Sequence, residues 1–276
     1  MGIEVVHGSP QTIWCPMSDA VTLYVGGMVM HDTTGPLQGV EPLDQASGAF
    51  NLTNSDVPFG VVIGTNRKSP LYNTTYNCEY ITSPAAADPH DGSANDYVGV
   101  EGPWAKGDPV AMVKVAVITP STVLRAPLYA TAYGTAPALL TATNTNANGT
   151  GITTNAADFT SIAQNLQTIY CRSGANAGSY RTTYDVSSTV HTWYVAMKSD
   201  IAIGDTFVMA PVRFQSMSTV QFDSAATYIE CDNAPVLAGT ARWGITVLRL
   251  DLSVAGSEYC EFMFSANHFG YNSPAS

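Results

Sequence analysis

Between Ser173 and Val212 the chain reads SGANAGSYRTTYDVSSTVHTWYVAMKSDIAIGDTFVMAPV. Short runs of β-branched and aromatic residues, such as SYRTTYDV, VHTWYVAM and TFVMAPV, are punctuated by Gly, Ser and Asp. That pattern leaves few options. Side chains branched at Cβ lose rotamer freedom in a helix and fit a pleated surface, while Gly, Ser and Asp turn the chain at low cost. The stretch therefore predicts antiparallel strands joined by tight turns. Its last part has an earlier counterpart: Ala202-Ile-Gly204-Asp205-Thr-Phe-Val-Met209 parallels Ala105-Lys-Gly107-Asp108-Pro-Val-Ala-Met112. Each segment predicts a turn at its Gly-Asp pair that feeds a buried strand, so Gly107, Asp108, Gly204 and Asp205 are assigned structural roles. Nothing in the stretch supplies a catalytic group.

The same punctuation recurs along the rest of the chain. AVTLYVGGMVM (20–30) predicts a strand pair broken at Gly26-Gly27, and PFGVVIG (58–64) an apolar strand between glycines. TTYNCEYIT (74–82) alternates as a strand does, SPAAADPHDGSAND (83–96) is a loop, and PVAMVKVAVIT (109–119) is a strand again. Residues 20–122 are expected to form a small β-barrel-like domain, because closely spaced strands with turns between them favour closure. Residues 123–276 are expected to form a second β-sandwich or barrel domain, in which SMSTVQFD, YIECDNAPVLA and RWGITVLRLDLSVA supply further strands. The fold class is thus all-β with at most one short helix. The helix candidate is AADFTSIAQNLQTI (156–169), where Phe159, Ile162, Ala163 and Leu166 share one helical face. Residues 1–19 hold Pro10, Pro16, Ile13 and Trp14 ahead of the first convincing strand. They are expected to form an extended arm whose Ile13 and Trp14 dock on a partner, since an arm alone cannot bury a Trp.

Composition narrows the partners. Lys and Arg number 11 against 22 Asp and Glu, a formal net charge of −11. The basic residues are scattered, so neither nucleic acid nor an anionic membrane surface is an expected partner. Charged residues make up 12% of the chain, about half the usual quarter. Neutral polar residues replace them, and such a surface suits packing against neighbours. The cysteines Cys15, Cys78, Cys171, Cys231 and Cys260 form no C-x-x-C motif and are expected to be free thiols in a protein made in a reducing cytoplasm. No apolar run approaches the ~18 residues of a membrane-spanning helix, and the N-terminus shows no signal-peptide pattern.

Chemistry-bearing candidates are few. Asp88-Pro-His90-Asp91 with Asn95-Asp96 places oxygen ligands on a Gly-containing loop, but without the twelfth-position Glu of an EF-hand, and reads as an ordinary loop. His7, His31, His191 and His268 do not cluster in sequence, and His191 reads as a strand histidine. Glu258 and Glu261, or Asp223 and Glu230, have no spacing that asks for a glycosidase pair. No nucleophile elbow, P-loop, Rossmann fingerprint or zincin motif occurs. No enzymatic activity, cofactor or metal site is expected. Tyr72, Tyr76, Tyr80, Tyr180, Tyr184 and Tyr194 can stack on sugars or pack at a subunit contact, although alternating strand patterns assign most of them to core and cross-strand pairs.

Two groups of motifs carry a resemblance. VTLYVGGMVMHD, PFGVVIG and KGDPVAMV are similar to segments of tailed-bacteriophage head proteins, in particular capsid decoration (cement) proteins. AGSYRTTYDV followed by DIAIGDTFVMAP resembles a segment common in phage virion structural proteins. The resemblance implies a homotrimeric or lattice-bound virion component that binds the major capsid protein at the capsid surface after synthesis in the host cytoplasm. It implies no catalytic residues. The alternative expectation is a receptor- or carbohydrate-binding virion protein of a tail or capsid spike. The major capsid protein itself is disfavoured, because the chain offers neither a long helix nor a basic arm.

Overall fold

The computed structural model describes residues 2–32, 39–43, 57–83, 96–100, 110–130, 132–155, 167–187, 189–231 and 243–265. Among them every regular element is a strand, so the fold is all-β. The chain divides into two units. The first takes the described residues of 1–126 with 222–228 and 263–265, and the second takes 127–221 and 229–262.

The first unit begins with β1 (Glu4–His7), β2 (Thr12–Pro16), β3 (Thr22–Tyr24), β4 (Met28–His31) and β5 (Val40–Pro42). It continues with β6 (Pro58–Thr65), β7 (Leu71–Asn73), β8 (Cys78–Thr82), β9 (Met112–Val117) and the first half of β10 (Val123–Tyr129). Its main sheet has the order β2-β9-β6-β4-β5. A parallel bridge from Met17 to Val40, with the Ser18 amide donating to the Val40 carbonyl at 3.0 Å, brings the two edges of that sheet together. Cys15, Met17, Val29, Val62, Ala111, Val113 and Val115 are buried inside. The spacing of two between Cys15 and Met17, and again from Ala111 to Val115, is the pleat turning alternate side chains inward.

Two expectations are corrected here. Residues 1–19 are not an extended arm. Glu4–His7 pair with β10, and Thr12–Pro16 pair along their whole length with Met112–Ala116 of β9. The Trp expected to seek a partner instead packs, half-buried, against Val110 and Met112 of its own unit. Pro16 fits because β2 is an edge strand, where a missing N–H breaks no ladder. The expected strand pair at 20–30 is also not a pair. The Gly27 amide bonds the Tyr24 carbonyl at 2.8 Å and Gly26 takes φ +86°, but this turn sends β3 and β4 into different sheets. β3 joins β8 and β7, and β4 joins β6 and β5. Gly26 tolerates the left-handed backbone and the close approach of Gly2, where a Cβ on either would collide with main chain.

The second unit holds the rest of β10, then β11 (Leu139–Thr141), β12 (Gly151–Thr153), β13 (Thr168–Cys171), β14 (Tyr180–Ser187) and β15 (Val190–Trp193). β16 (Thr206–Ala210), β17 (Met217–Val220), β18 (Ile229–Glu230), β19 (Trp243–Asp251) and β20 (Tyr259–Phe264, through Phe262 in this unit) follow. Six of these run in the order β11-β16-β13-β14-β15-β12. An antiparallel bridge between Ala142 and Thr154 joins the ends of the series, reinforced by main-chain bonds between Thr143 and Thr153 and between Asn155 and Thr141. The ladder therefore runs right round. Its interior is filled by Leu140, Ile152, Ile169, Trp193, Phe207 and Met209, among others, as a six-stranded barrel's must be. The helix candidate at 156–169 falls at residues 156–166 outside the described residues, while Thr168 and Ile169 belong to β13.

Candidate functional site

The sequence-assigned turn in the second unit has a definite geometry. The Asp205 amide donates to the Ala202 carbonyl at 3.2 Å, and Gly204 between them has φ +91°. This is a type II turn, whose third residue favours glycine. The Asp205 carboxylate closes it by accepting from the Ala202 amide at 3.0 Å, and β16 starts at the next residue. Gly107 and Asp108 lie outside the described residues, as do His90, Asp91, Asn95 and His268. Asp96 accepts from Arg67 at 3.4 Å.

The remaining chemistry-bearing residues do not assemble into one centre. Among the described residues no three His, Cys, Asp or Glu side chains are placed to share a metal ion. His191 is fully buried in the second barrel. Its Nε2 lies 3.3 Å from the Thr154 hydroxyl, which is itself 3.2 Å from the Thr189 carbonyl, and its Nδ1 is buried with no hydrogen-bond partner among the described residues. Burial lowers the pKa of this imidazole to about 4. Glu258, also buried, is held by Arg172, which further donates to the Leu252 carbonyl at 2.8 Å. Asp223 forms the centre of a tight loop in the first unit, accepting from the amides of Ala225, Thr227 and Tyr228. Burial raises its pKa and these hydrogen bonds oppose the rise. The ion pair links the segments that flank β13, β19 and β20, and the Asp223 carboxylate holds its own loop closed.

None of the five cysteines is in a disulfide. Cys15, Cys171, Cys231 and Cys260 are buried, and burial lifts the Cys15 and Cys171 thiols to about 11, away from reactivity. Cys78 is half-buried.

Concave surface is found in the first unit. A groove of about 680 Å³ is lined by Glu4 and Val5 of β1, Val61 and Ile63 of β6, and Cys78 and Glu79 of β8, with neighbours from the 8–12 and 25–26 segments. Its walls are largely apolar. Glu4 at its edge is paired to Arg125 at 3.0 Å. Glu79 is exposed and makes no ion pair among the described residues. A smaller cavity of about 200 Å³ lies between β2 and β5, lined by Ile13, Cys15, His31, Val40 and Phe59. It occupies the seam that the Met17–Val40 bridge spans. Of the two residues expected to bind a partner, Ile13 is 38% exposed at this seam, while Trp14 turns to the opposite side.

The tyrosines divide clearly. Tyr76 and Tyr80 pack around Tyr24, and Tyr180 is held between Tyr170 and Phe214 with its hydroxyl on the Leu250 carbonyl. Tyr72 is exposed and donates to Asn77. Tyr184 and Tyr194 stack at 4.1 Å with 21° between their planes, and Tyr194 is 82% exposed. Alternation along a strand could not distinguish this exposed pair from the packed ones, because Tyr194 lies just beyond the end of β15. The chain matches none of the known protein families, curated proteins or solved structures with which it was compared.

Proposed function

We propose that the protein is a virion structural component, a capsid decoration protein that binds the major capsid protein and stabilises the phage head lattice as a trimer or lattice-bound oligomer. The observation that carries this reading is where the phage-like segments fall. Of the first group, MVMH and PFGVVIG lie in β4 and β6, adjacent strands of one sheet, TLY is β3 of another sheet, and Met112-Val113 of KGDPVAMV open β9, while residues 106–109 lie outside the described residues. YRTTYDVS and TFVMA are β14 and β16, the two neighbours of β13 in the second barrel. The resembling segments that are described thus fall mainly on strands in both units, which supports the reading. A surface poor in charge adds support, because it desolvates at lower cost than one rich in Lys and Glu. The test is to add purified protein to expanded heads that lack it. Saturable binding and a raised melting temperature of the heads are expected, and the absence of both would sink the reading.

A second reading draws on the Tyr184–Tyr194 stack. An exposed ring of this kind offers a face on which a sugar ring can lie, as a receptor- or carbohydrate-binding virion protein requires. Saturable binding on a glycan array that is lost in Tyr194→Ala, with no affinity for heads, would favour this reading over the first.

A further inference from the structure

The groove of the first unit lies beside the terminal strand of a sheet. β1 is the terminal strand of its sheet, with β10 on one side. β10 contributes nothing to the groove lining, so the groove opens along the other side of β1, where the Ile3 amide just before the strand donates to the Gly26 carbonyl at 2.7 Å and no other main-chain contact closes that side of β1 among the described residues. An outer edge of this kind carries main-chain donors and acceptors that can template a further strand. Each flanking strand also has a bulge. In β1 the register shifts between Val5 and His7, and in β6 it shifts between Val62 and Gly64. The second shift leaves Ile63 out of the ladder and 44% exposed at the groove, the usual effect of a bulge in re-aiming a side chain. The edge of β1 beyond the Ile3–Gly26 bond, the apolar floor and the Glu79 carboxylate, which makes no ion pair among the described residues, lie together.

We propose that this groove receives an extended apolar segment carrying a lysine or arginine, added as a further strand on β1 with its basic side chain at Glu79. The inference deepens the decoration reading and rests on it for the identity of the donor, a segment of the major capsid protein. Charge argues against a second copy as occupant. Two chains meeting at this groove would bring Glu79 to Glu79, each within a chain of net charge −11. A basic strand from a different protein meets the opposite sign.

The experiment uses the full chain and a fluorescent heptapeptide, Val-Thr-Val-Lys-Val-Thr-Val. Saturable binding is expected. It should be abolished by N-methylation of alternate peptide amides, which removes the donors a strand needs, and by Ile63→Asp, whose fold is checked by circular dichroism. Acetylating the peptide lysine should weaken binding about fivefold, as loss of one exposed pair would. Glu79→Lys should reverse the preference, favouring the same peptide with Glu in place of Lys. Binding that ignores Ile63→Asp and Glu79→Lys, no binding at millimolar peptide, or cross-links joining β1 of two copies would each overturn the proposal. Heads that bind wild type and Ile63→Asp equally would sink the groove while leaving the decoration reading intact. Heads that bind neither would sink the decoration reading, and the peptide would still decide the groove.

Discussion

The two units solve one problem, closing a twisted sheet, with different completeness. In the second unit the ladder ends are joined by an antiparallel bridge at Ala142–Thr154 and two flanking main-chain contacts. Its interior holds Trp193, whose indole Nε1 donates to the Gly149 carbonyl at 2.8 Å. In the first unit, among the described residues, the edges meet through the parallel Met17–Val40 bridge and one adjacent hydrogen bond, with a cavity left in the seam. The terminal strand β1, met on its outer side by the Ile3–Gly26 bond alone among the described residues, borders the groove beside it. A sealed barrel has satisfied its backbone and has little left to offer a partner strand. An incompletely sealed one retains main-chain groups and apolar surface, which suits the first unit to the strand addition proposed above.

This contrast can be broken most severely at β2. Deleting residues 2–16 removes both β1 and the edge strand that covers β9, along with the buried Cys15. The expected outcome is loss of the first unit's fold, seen as lost protection of β6 and β9 amides in hydrogen exchange. A truncated chain that keeps that protection would restore the idea of a dispensable arm.

The second unit is sealed around a group that prefers to be neutral. His191 has its pKa lowered from 6.5 to about 4. A histidine with a depressed folded pKa binds its proton more readily when unfolded, so its contribution is complete above pH 6.5 and is lost as pH falls from there towards 4. The span corresponds to about 3 kcal/mol at roughly 1.4 kcal/mol per pH unit. Denaturant midpoints at pH 7 and pH 4.5 should differ accordingly, and His191→Leu should remove most of the difference. An unchanged pH dependence in the variant would mean that water reaches the ring and the barrel is less sealed than described.

A smaller effect is expected from Gly60→Ala in β6. The added Cβ would stand 2.3 Å from Val115 Cγ1 and 2.5 Å from the Ala116 carbonyl oxygen. The carbonyl is main chain and cannot swing aside, so the strands must part at a cost of about 1–3 kcal/mol. A neutral result in a denaturant melt would show that the first sheet has slack to absorb a methyl group.

Strand character was legible in the sequence wherever β-branched and aromatic residues alternate between glycines, as in PFGVVIG and TFVMA. The Gly204-Asp205 turn was legible for the same reason, since its chemistry is local. Partnership was not. Ile13-Trp14-Cys15 sits between two prolines and reads as an arm because its partner, β9, lies about a hundred residues further on and leaves no trace in local pattern. The transfer of 222–228 to the first unit was equally hidden, because it depends on contacts such as the Met28 amide on the Ala226 carbonyl. The groove escaped notice because its lining comes from five separate strands, and only the fold brings Val5, Ile63 and Glu79 together.

The pairing of Thr12 with Ala116 also sets a schedule for synthesis. At ~5–20 residues per second, roughly 5–20 s pass between the emergence of β2 and that of its partner. The Met28–Ala226 hydrogen bond postpones completion further, because its acceptor is made only after most of the second unit. The unit that begins the chain is therefore the last to acquire all its parts. While the ribosome is still working, the β2 edge and the apolar faces of β4 and β6 stand open, and holding them apart from one another and from other nascent chains becomes a task for the cell rather than for the sequence.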